Sequence, residues 1–115
     1  MSQFSAVTLE ETALQSLRSC RHFLIDHLDM APAEAHTYTQ GLAGIAMSRL
    51  TERSETYGIC RLAQEMGIGH YQELLIDSYR IVYRFWPDEN QASIYLFAHQ
   101  RQDFKQLLFE YQLLR

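Results

Sequence analysis

Hydrophobic positions follow a helical period in the first half of the chain. Apolar residues at spacings of three and four predict a first helix over residues 9–28, started by Thr8 with Glu11 three residues later. A second helix begins at Pro32, a residue that suits a first helical turn, and ends near Glu52. Because the link between the helices is short, we expect an antiparallel helical hairpin.

The period changes to that of β-strands in the second half. Runs of aromatic and β-branched residues over 71–76, 79–86 and 92–99 are separated by short polar turns. Connections this short pair neighbouring strands, so the pattern predicts a β-meander. Residues 4–7 form a further extended segment before the first helix. Residues 54–69 are read as a loop with at most one helical turn, over residues 62–66.

A short C-terminal helix follows the last strand. Asp103 can cap it, since Gln106 lies three residues on, and its apolar stripe begins at Phe104. The order β-α-α-β-β-β-α predicts an α+β fold, with an N-terminal strand and a helical hairpin packed on a small antiparallel sheet. At 115 residues the chain makes one domain, 1–115.

Composition and charge narrow the function. Hydrophobic residues make up 47% of the chain, as in globular proteins, and the apolar runs are far shorter than the roughly 18 residues of a membrane span. The N-terminus lacks a signal-peptide pattern, so we expect a cytoplasmic protein. The net charge is −4 with Lys105 the single lysine, which argues against electrostatically driven nucleic-acid binding. Cys20 and Cys60 form no CxxC pair and are expected to be buried thiols.

The strand region carries a family resemblance. The tyrosine-arginine strand over residues 79–84, preceded by the strand at 71–76, is followed by a hydrophobic strand ending in His99-x-Arg101-x-Asp103. In order and spacing these segments resemble the RelE/ParE superfamily of toxins from toxin–antitoxin modules. The resemblance extends along nearly the whole chain and implies the RelE/ParE-like fold.

Two branches of that superfamily imply different activities. RelE-like toxins are ribosome-dependent ribonucleases that cleave messenger RNA with cationic and acid–base side chains on the sheet. If strand alternation places them on one face, Arg80 and Arg84 of the third strand would meet His99 and Arg101 at the end of the last.

Each of those side chains also has a structural interpretation. Arg80 has Glu73 and Asp77 nearby as ion-pair partners, and a histidine at a strand end, like His99, is often simply hydrogen-bonded. Arg101 and Asp103 fit the start of a helix. The lysine-rich loop and the basic tail of many ribonuclease members are absent.

Other chemistry finds little support. His22 and Asp26 lie four apart on the first helix, but no carboxylate–histidine cluster accompanies them, so no metal is expected. No nucleophile elbow or glycine-rich phosphate loop is present, and no cofactor is expected.

Aromatic residues exceed what one buried face can use. A helical hairpin covers one side of the sheet, which would leave Tyr95 and Phe97, or their alternates Ile94 and Leu96, on an open side. We therefore predict a partner-binding surface. Its expected residues are Tyr95, Phe97, Arg101, Phe104 and Leu108.

The sparse positive charge favours the ParE-like branch, in which a non-enzymatic toxin binds DNA gyrase and is neutralised by a cognate antitoxin. The alternative is a RelE-like ribonuclease that acts on messenger RNA at the ribosome through His99, Arg80, Arg84 and Arg101. An inactive family member, retained only as a binding partner, is a third interpretation.

Overall fold

Four strands and four helices make up the part of the chain that the computed structural model describes, residues 4–55 and 57–113. In chain order they are β1 (Ala6–Leu9), α1 (Glu11–Leu28), α2 (Pro32–Arg53), α3 (Arg61–Glu65), β2 (Gln72–Ile76), β3 (Tyr79–Trp86), β4 (Gln91–His99) and α4 (Phe104–Glu110). The predicted α+β fold is confirmed, and the element bounds differ from the sequence prediction by a few residues. None of the helices described is long and apolar enough to cross a membrane.

The strands form one sheet in the order β1-β4-β3-β2. The meander is confirmed, because β2 pairs antiparallel with β3 and β3 antiparallel with β4. The β2–β3 turn is a two-residue loop in which Asp77 has a positive φ of 52°, a conformation that Asp tolerates. The N-terminal strand β1 adds to the free side of β4 in parallel, with Ala6 opposite Gln91.

A β-bulge in β4 changes which residues share a face. Val82 pairs with Leu96 and Tyr83 pairs with Ile94, so Tyr95 is the extra residue. A bulge interrupts the alternation of side chains along a strand. Strict alternation predicted that Tyr95 shares a face with Phe97, which is wrong for this reason.

The helical hairpin packs on one face of the sheet. Leu17 and Cys20 of α1 and Leu42 and Leu50 of α2 are buried against it. The sheet contributes a row of fully or almost fully buried side chains, which are Leu74, Ile76, Tyr79, Ile81, Tyr83, Ala92, Ile94 and Phe97. Burial of apolar surface contributes roughly 25 cal/mol of transfer free energy per Å², so this layer supplies much of the driving force for folding.

The second face of the sheet is covered as well. Helix α4 inserts Leu108, which is fully buried, and the segment around α3 inserts Cys60 and Ala63 against Val82 and Leu96. The expectation of an open apolar face is therefore wrong. The segment before β2, which includes α3, and the C-terminal helix supply the cover that the hairpin cannot.

The predicted N-terminal caps of α4 and α1 have different outcomes. Asp103 caps α4 as predicted, since its Oδ1 accepts a hydrogen bond from the Gln106 N–H at 3.1 Å. The predicted cap of α1 is wrong: Thr8 lies in β1, and Glu10, at the N-cap position, makes no side-chain cap. The parallel pairing of β1 with β4 holds Thr8 in the strand.

Candidate functional site

Arg80 on β3 is the most strongly engaged of the candidate side chains. Its Nε lies 2.7 Å from Oε2 of Glu73 on β2, and both side chains are partly buried. The N–H is not aligned with the carboxylate oxygen, so the contact is an ion pair rather than an aligned hydrogen bond. The guanidinium also stacks on the Phe104 ring of α4, 4.7 Å from its centroid. One of the two ion-pair partners expected from the sequence, Glu73, is confirmed.

Arg84 lies on the same face of β3 as Arg80. Its guanidinium stacks on the Trp86 ring at 4.8 Å from the centroid. The positive charge of Arg84 reaches His70, whose pKa is lowered by burial and by this arginine. The two arginines therefore share a face, as strand alternation predicted, but each is held by its own neighbours.

His99 points to the opposite face of the sheet. It pairs with Tyr79, and its ring packs between Tyr79 and Phe23 of α1, with centroid distances of 5.0 Å to each. Its Nδ1 accepts a hydrogen bond from the backbone N–H of Arg101 at 3.1 Å. Burial, and secondly the charge of Arg101, lower the pKa of His99. The ring is therefore a neutral, almost fully buried imidazole with its proton on Nε2.

The four candidate catalytic residues are thus not brought together. Arg80 and Arg84 face α3 and α4, whereas His99 faces α1, and the side chain of Arg101 is exposed beyond the end of β4. The predicted gathering of these residues on one face is wrong. The alternation of β4 was counted through Tyr95 without its bulge, and the partner of His99 across the strands is Tyr79, a core residue.

Arg80 and His99 still approach a common cavity at the end of the sheet. This pocket of about 200 Å³ lies beside the β2–β3 turn and the start of α4. Gln102 also lines it, and its Oε1 accepts a hydrogen bond from the backbone N–H of His99 at 2.8 Å. The basic nitrogen of His99, Nδ1, already accepts the Arg101 N–H, so the imidazole has no free lone pair with which to take a proton in this pocket.

The predicted partner-binding residues divide between surface and core. Phe97 and Leu108 are fully or almost fully buried, and Phe104 is 8% exposed. Tyr95 is half-buried and Arg101 is exposed. In the structure described here, the two buried side chains therefore have no surface to offer a partner.

Sequence reasoning missed an exposed surface along β2. Leu75 is 60% exposed and Ile59 is 48% exposed, and both line an open groove of about 640 Å³ that also contains Arg49 and Arg61. The strand β2 is an edge of the sheet, which only the position of the strand in the fold reveals. The sequence carried only a weak indication of this surface, which is that Leu75 is apolar at a position where strand alternation would place a polar residue.

Metal ligands do not cluster in the described ranges. His22 and Asp26 both border a shallow groove on α1, and no group of three or more histidine, cysteine or acidic side chains that could hold a metal accompanies them there. Cys20 and Cys60 are buried free thiols, as predicted. Burial raises the pKa of Cys20 to about 12, which makes it a poor nucleophile.

Comparison with known proteins gives a fold but no family assignment. No family model matches the chain, and no curated protein matches it significantly. Among solved structures it is similar to a chain of the toxin–antitoxin complex RelBE2 from Mycobacterium tuberculosis, with a TM-score of 0.60 and 14% identity over 89% of this chain and 98% of that chain. It is also similar to a chain of the chromosomal ParDE toxin–antitoxin system from P. aeruginosa, with a TM-score of 0.63 and 12% identity over 85% and 98%.

Proposed function

We propose that this protein is the toxin of a type II toxin–antitoxin module and that it inhibits growth by binding a cellular target rather than by cleaving RNA. Two lines of support meet. The fold is that of chains found in toxin–antitoxin complexes, and the strand motifs at Tyr79-Arg80 and His99-x-Arg101-x-Asp103 resemble the RelE/ParE superfamily. This protein is then a RelE/ParE superfamily member of the ParE-like branch, acting in the cytoplasm.

The observation that carries the non-enzymatic proposal is the state of Arg80. A cation that stabilises a phosphorane needs an accessible charge. Glu73 neutralises this arginine at 2.7 Å, and Phe104 covers its guanidinium. His99 lies on the other face as a neutral imidazole whose Nδ1 is already hydrogen-bonded.

DNA gyrase is the proposed target, following the ParE-like resemblance. The test is a supercoiling assay with purified gyrase and purified protein. Inhibition, or accumulation of cleaved DNA, at a stoichiometry close to that of the gyrase present would support the proposal. Supercoiling that stays unaffected at saturating protein would contradict it.

The RelE-like ribonuclease remains the second candidate, because both Arg80 and His99 line the 200 Å³ pocket at the end of the sheet. Translating ribosomes incubated with the protein, followed by mapping of messenger RNA ends, test it directly. New messenger RNA ends that appear only when both the protein and ribosomes are present would support the ribonuclease and overturn the gyrase proposal. Negative results in both assays would leave the inactive family member.

A cognate antitoxin is the proposed partner, in a hetero-oligomer. The chains of similar fold come from complexes with such partners. Co-expression of a neighbouring gene that restores growth and co-purifies with this chain would support the pairing. Full toxicity in the presence of every adjacent small gene would contradict it.

A further inference from the structure

A second pocket lies between the start of α1 and the end of α4. Its volume is about 470 Å³, and it shares no lining residue with the pocket beside Arg80 and His99. Tyrosines and glutamates dominate its wall, namely Glu10, Glu11, Tyr71, Tyr95 and Tyr111. Neither the fold comparison nor the strand motifs assign a role to this pocket.

The tyrosine rings are fixed in place. The rings of Tyr71 and Tyr95 meet edge to face, with centroids 5.6 Å apart. Tyr71 is 7% exposed, whereas Tyr95 and Tyr111 are half-buried. The Tyr111 hydroxyl is hydrogen-bonded to Oγ of Ser19 at 2.8 Å, which ties the end of α4 to α1. The pocket therefore presents aromatic surface that costs little to order when a ligand binds.

The carboxylates in the wall have no ion-pair partner in the part of the chain that the structure describes. Neither Glu10 nor Glu11 forms an ion pair with any residue in the ranges 4–55 and 57–113. Glu10 lies close enough to Tyr95 that its charge, after burial, raises the pKa of that tyrosine. Arg84 also acts on Tyr95, but its guanidinium stacks on Trp86 and does not line the pocket.

We propose that this pocket binds the guanidinium group of an arginine side chain presented by a partner protein. The negative face of a tyrosine ring attracts a cation, and a planar guanidinium both stacks on the ring and forms paired hydrogen bonds to a carboxylate. Among residues 4–55 and 57–113, no lysine, arginine or histidine lines the pocket to compete with it. The volume exceeds that of a guanidinium alone, so the arginine stem fits too. The inference does not depend on the proposed function, because this pocket shares no lining residue with the pocket of Arg80 and His99.

The test is a titration of the full-length ¹⁵N-labelled protein with the peptide acetyl-Ala-Arg-Ala-amide, followed by NMR. We expect saturable shifts of the backbone amides of Glu11, Tyr95 and Tyr111. The peptide with citrulline in place of arginine has nearly the same shape without the charge. We expect it to cause no saturable shift at the same concentrations. Equal binding of the arginine and citrulline peptides would overturn the proposal. Tighter binding of the same peptide with lysine in place of arginine would overturn it too.

Variants locate the site. Glu11 is exposed, so Glu11→Gln should leave the fold intact while weakening the arginine peptide by about two- to fivefold, the loss expected for one solvent-exposed ion pair. Glu34→Gln, on the exposed first turn of α2, removes the same charge elsewhere and should leave the affinity unchanged. Loss of affinity that is equal in the two variants would show a general charge effect and overturn the assignment to this pocket.

Discussion

Oε2 of Glu73 lies 2.7 Å from Nε of Arg80, across neighbouring strands β2 and β3. The two residues are diagonal neighbours on one face, since Glu73 pairs with Val82 and Arg80 pairs with Leu75. The ion pair neutralises the charge of Arg80, the arginine of the tyrosine-arginine strand that lines the pocket at the end of the sheet. A carboxylate at this place thus decides how much positive charge the pocket presents.

The ion pair predicts a coupling free energy. Glu73→Gln and Arg80→Met should each destabilise the protein, and the double variant should be less unstable than the sum, by about 1 kcal/mol for a partly buried pair. Urea unfolding of the four proteins measures this. Strictly additive losses would mean that the contact contributes no stability. The Phe104 contact of Arg80 is retained in Glu73→Gln, so that variant isolates the charge.

His99 predicts a pH dependence of stability. Burial and Arg101 lower its pKa in the folded protein, and burial and Arg84 do the same for His70. The unfolded chain therefore binds more protons than the folded one below the ordinary pKa of 6.5. The contribution of these histidines to the free energy of unfolding should be complete above that pH. It should decrease as the pH falls through their lowered pKa values. Unfolding midpoints between about pH 7.5 and 5 measure it.

The variant His99→Gln separates the two histidines. Glutamine is uncharged over this range, so the decline at low pH should become shallower. His70→Gln is the matched change at an exposed position. A decline that is unchanged in His99→Gln would assign the effect to other groups.

Growth inhibition should not depend on the imidazole. His99 is buried and neutral, with Nδ1 hydrogen-bonded, so His99→Ala should leave toxicity largely intact at a temperature where the variant stays folded. Its stability cost comes from lost contacts with Phe23 and Tyr79. Growth curves after induction, with circular dichroism of the purified variant, provide the measurement. If His99→Ala and Arg84→Ala each abolished toxicity without loss of stability, the ribonuclease would replace the binding toxin.

Helix α4 should be required for the folded state. Leu108 is fully buried and Phe109, its neighbour, is 74% exposed, which offers a matched pair on one short helix. Leu108→Ala should cost about 2–5 kcal/mol of unfolding free energy, and Phe109→Ala within about 0.5 kcal/mol of zero. Deletion of residues 104–115 should lower the melting temperature further. A truncated protein with unchanged melting temperature and toxicity would show the helix to be dispensable.

The sequence predicted the meander and the hairpin because their signals are local. The Asp77-Ser78 turn and the alternation of β3 required no knowledge of the rest of the chain. The bulge at Tyr95 carries no such mark, since no glycine or proline accompanies it, and it arises where Tyr83 must pair with Ile94 to keep both on the hairpin face.

The sequence did not predict that the second face of the sheet is covered, and the reason is a different one. The residues around Cys60, Ala63 and Ile68 show no period, because α3 is a helix of 5 residues and the rest is turn. Their burial follows from where β2 places them and not from their own pattern. The expected gathering of the arginines with His99 was wrong for a related reason, because the faces of these residues depend on the pairing of His99 with Tyr79 and on the bulge.

The edge strand β2 predicts limited self-association of the isolated chain. The N–H of Glu73 is bonded to the carbonyl of Gly58, so the N–H and C=O of Leu75, which point the same way, lie beyond the short covering segment. With Leu75 and Ile59 exposed beside it, this edge can pair with a second chain. Leu75→Lys should therefore reduce the concentration-dependent light scattering, and Leu14→Lys, at an exposed site on α1, should not. A wild-type chain that stays monodisperse at high concentration would mean that the paired segment and the arginines of the groove already protect this edge.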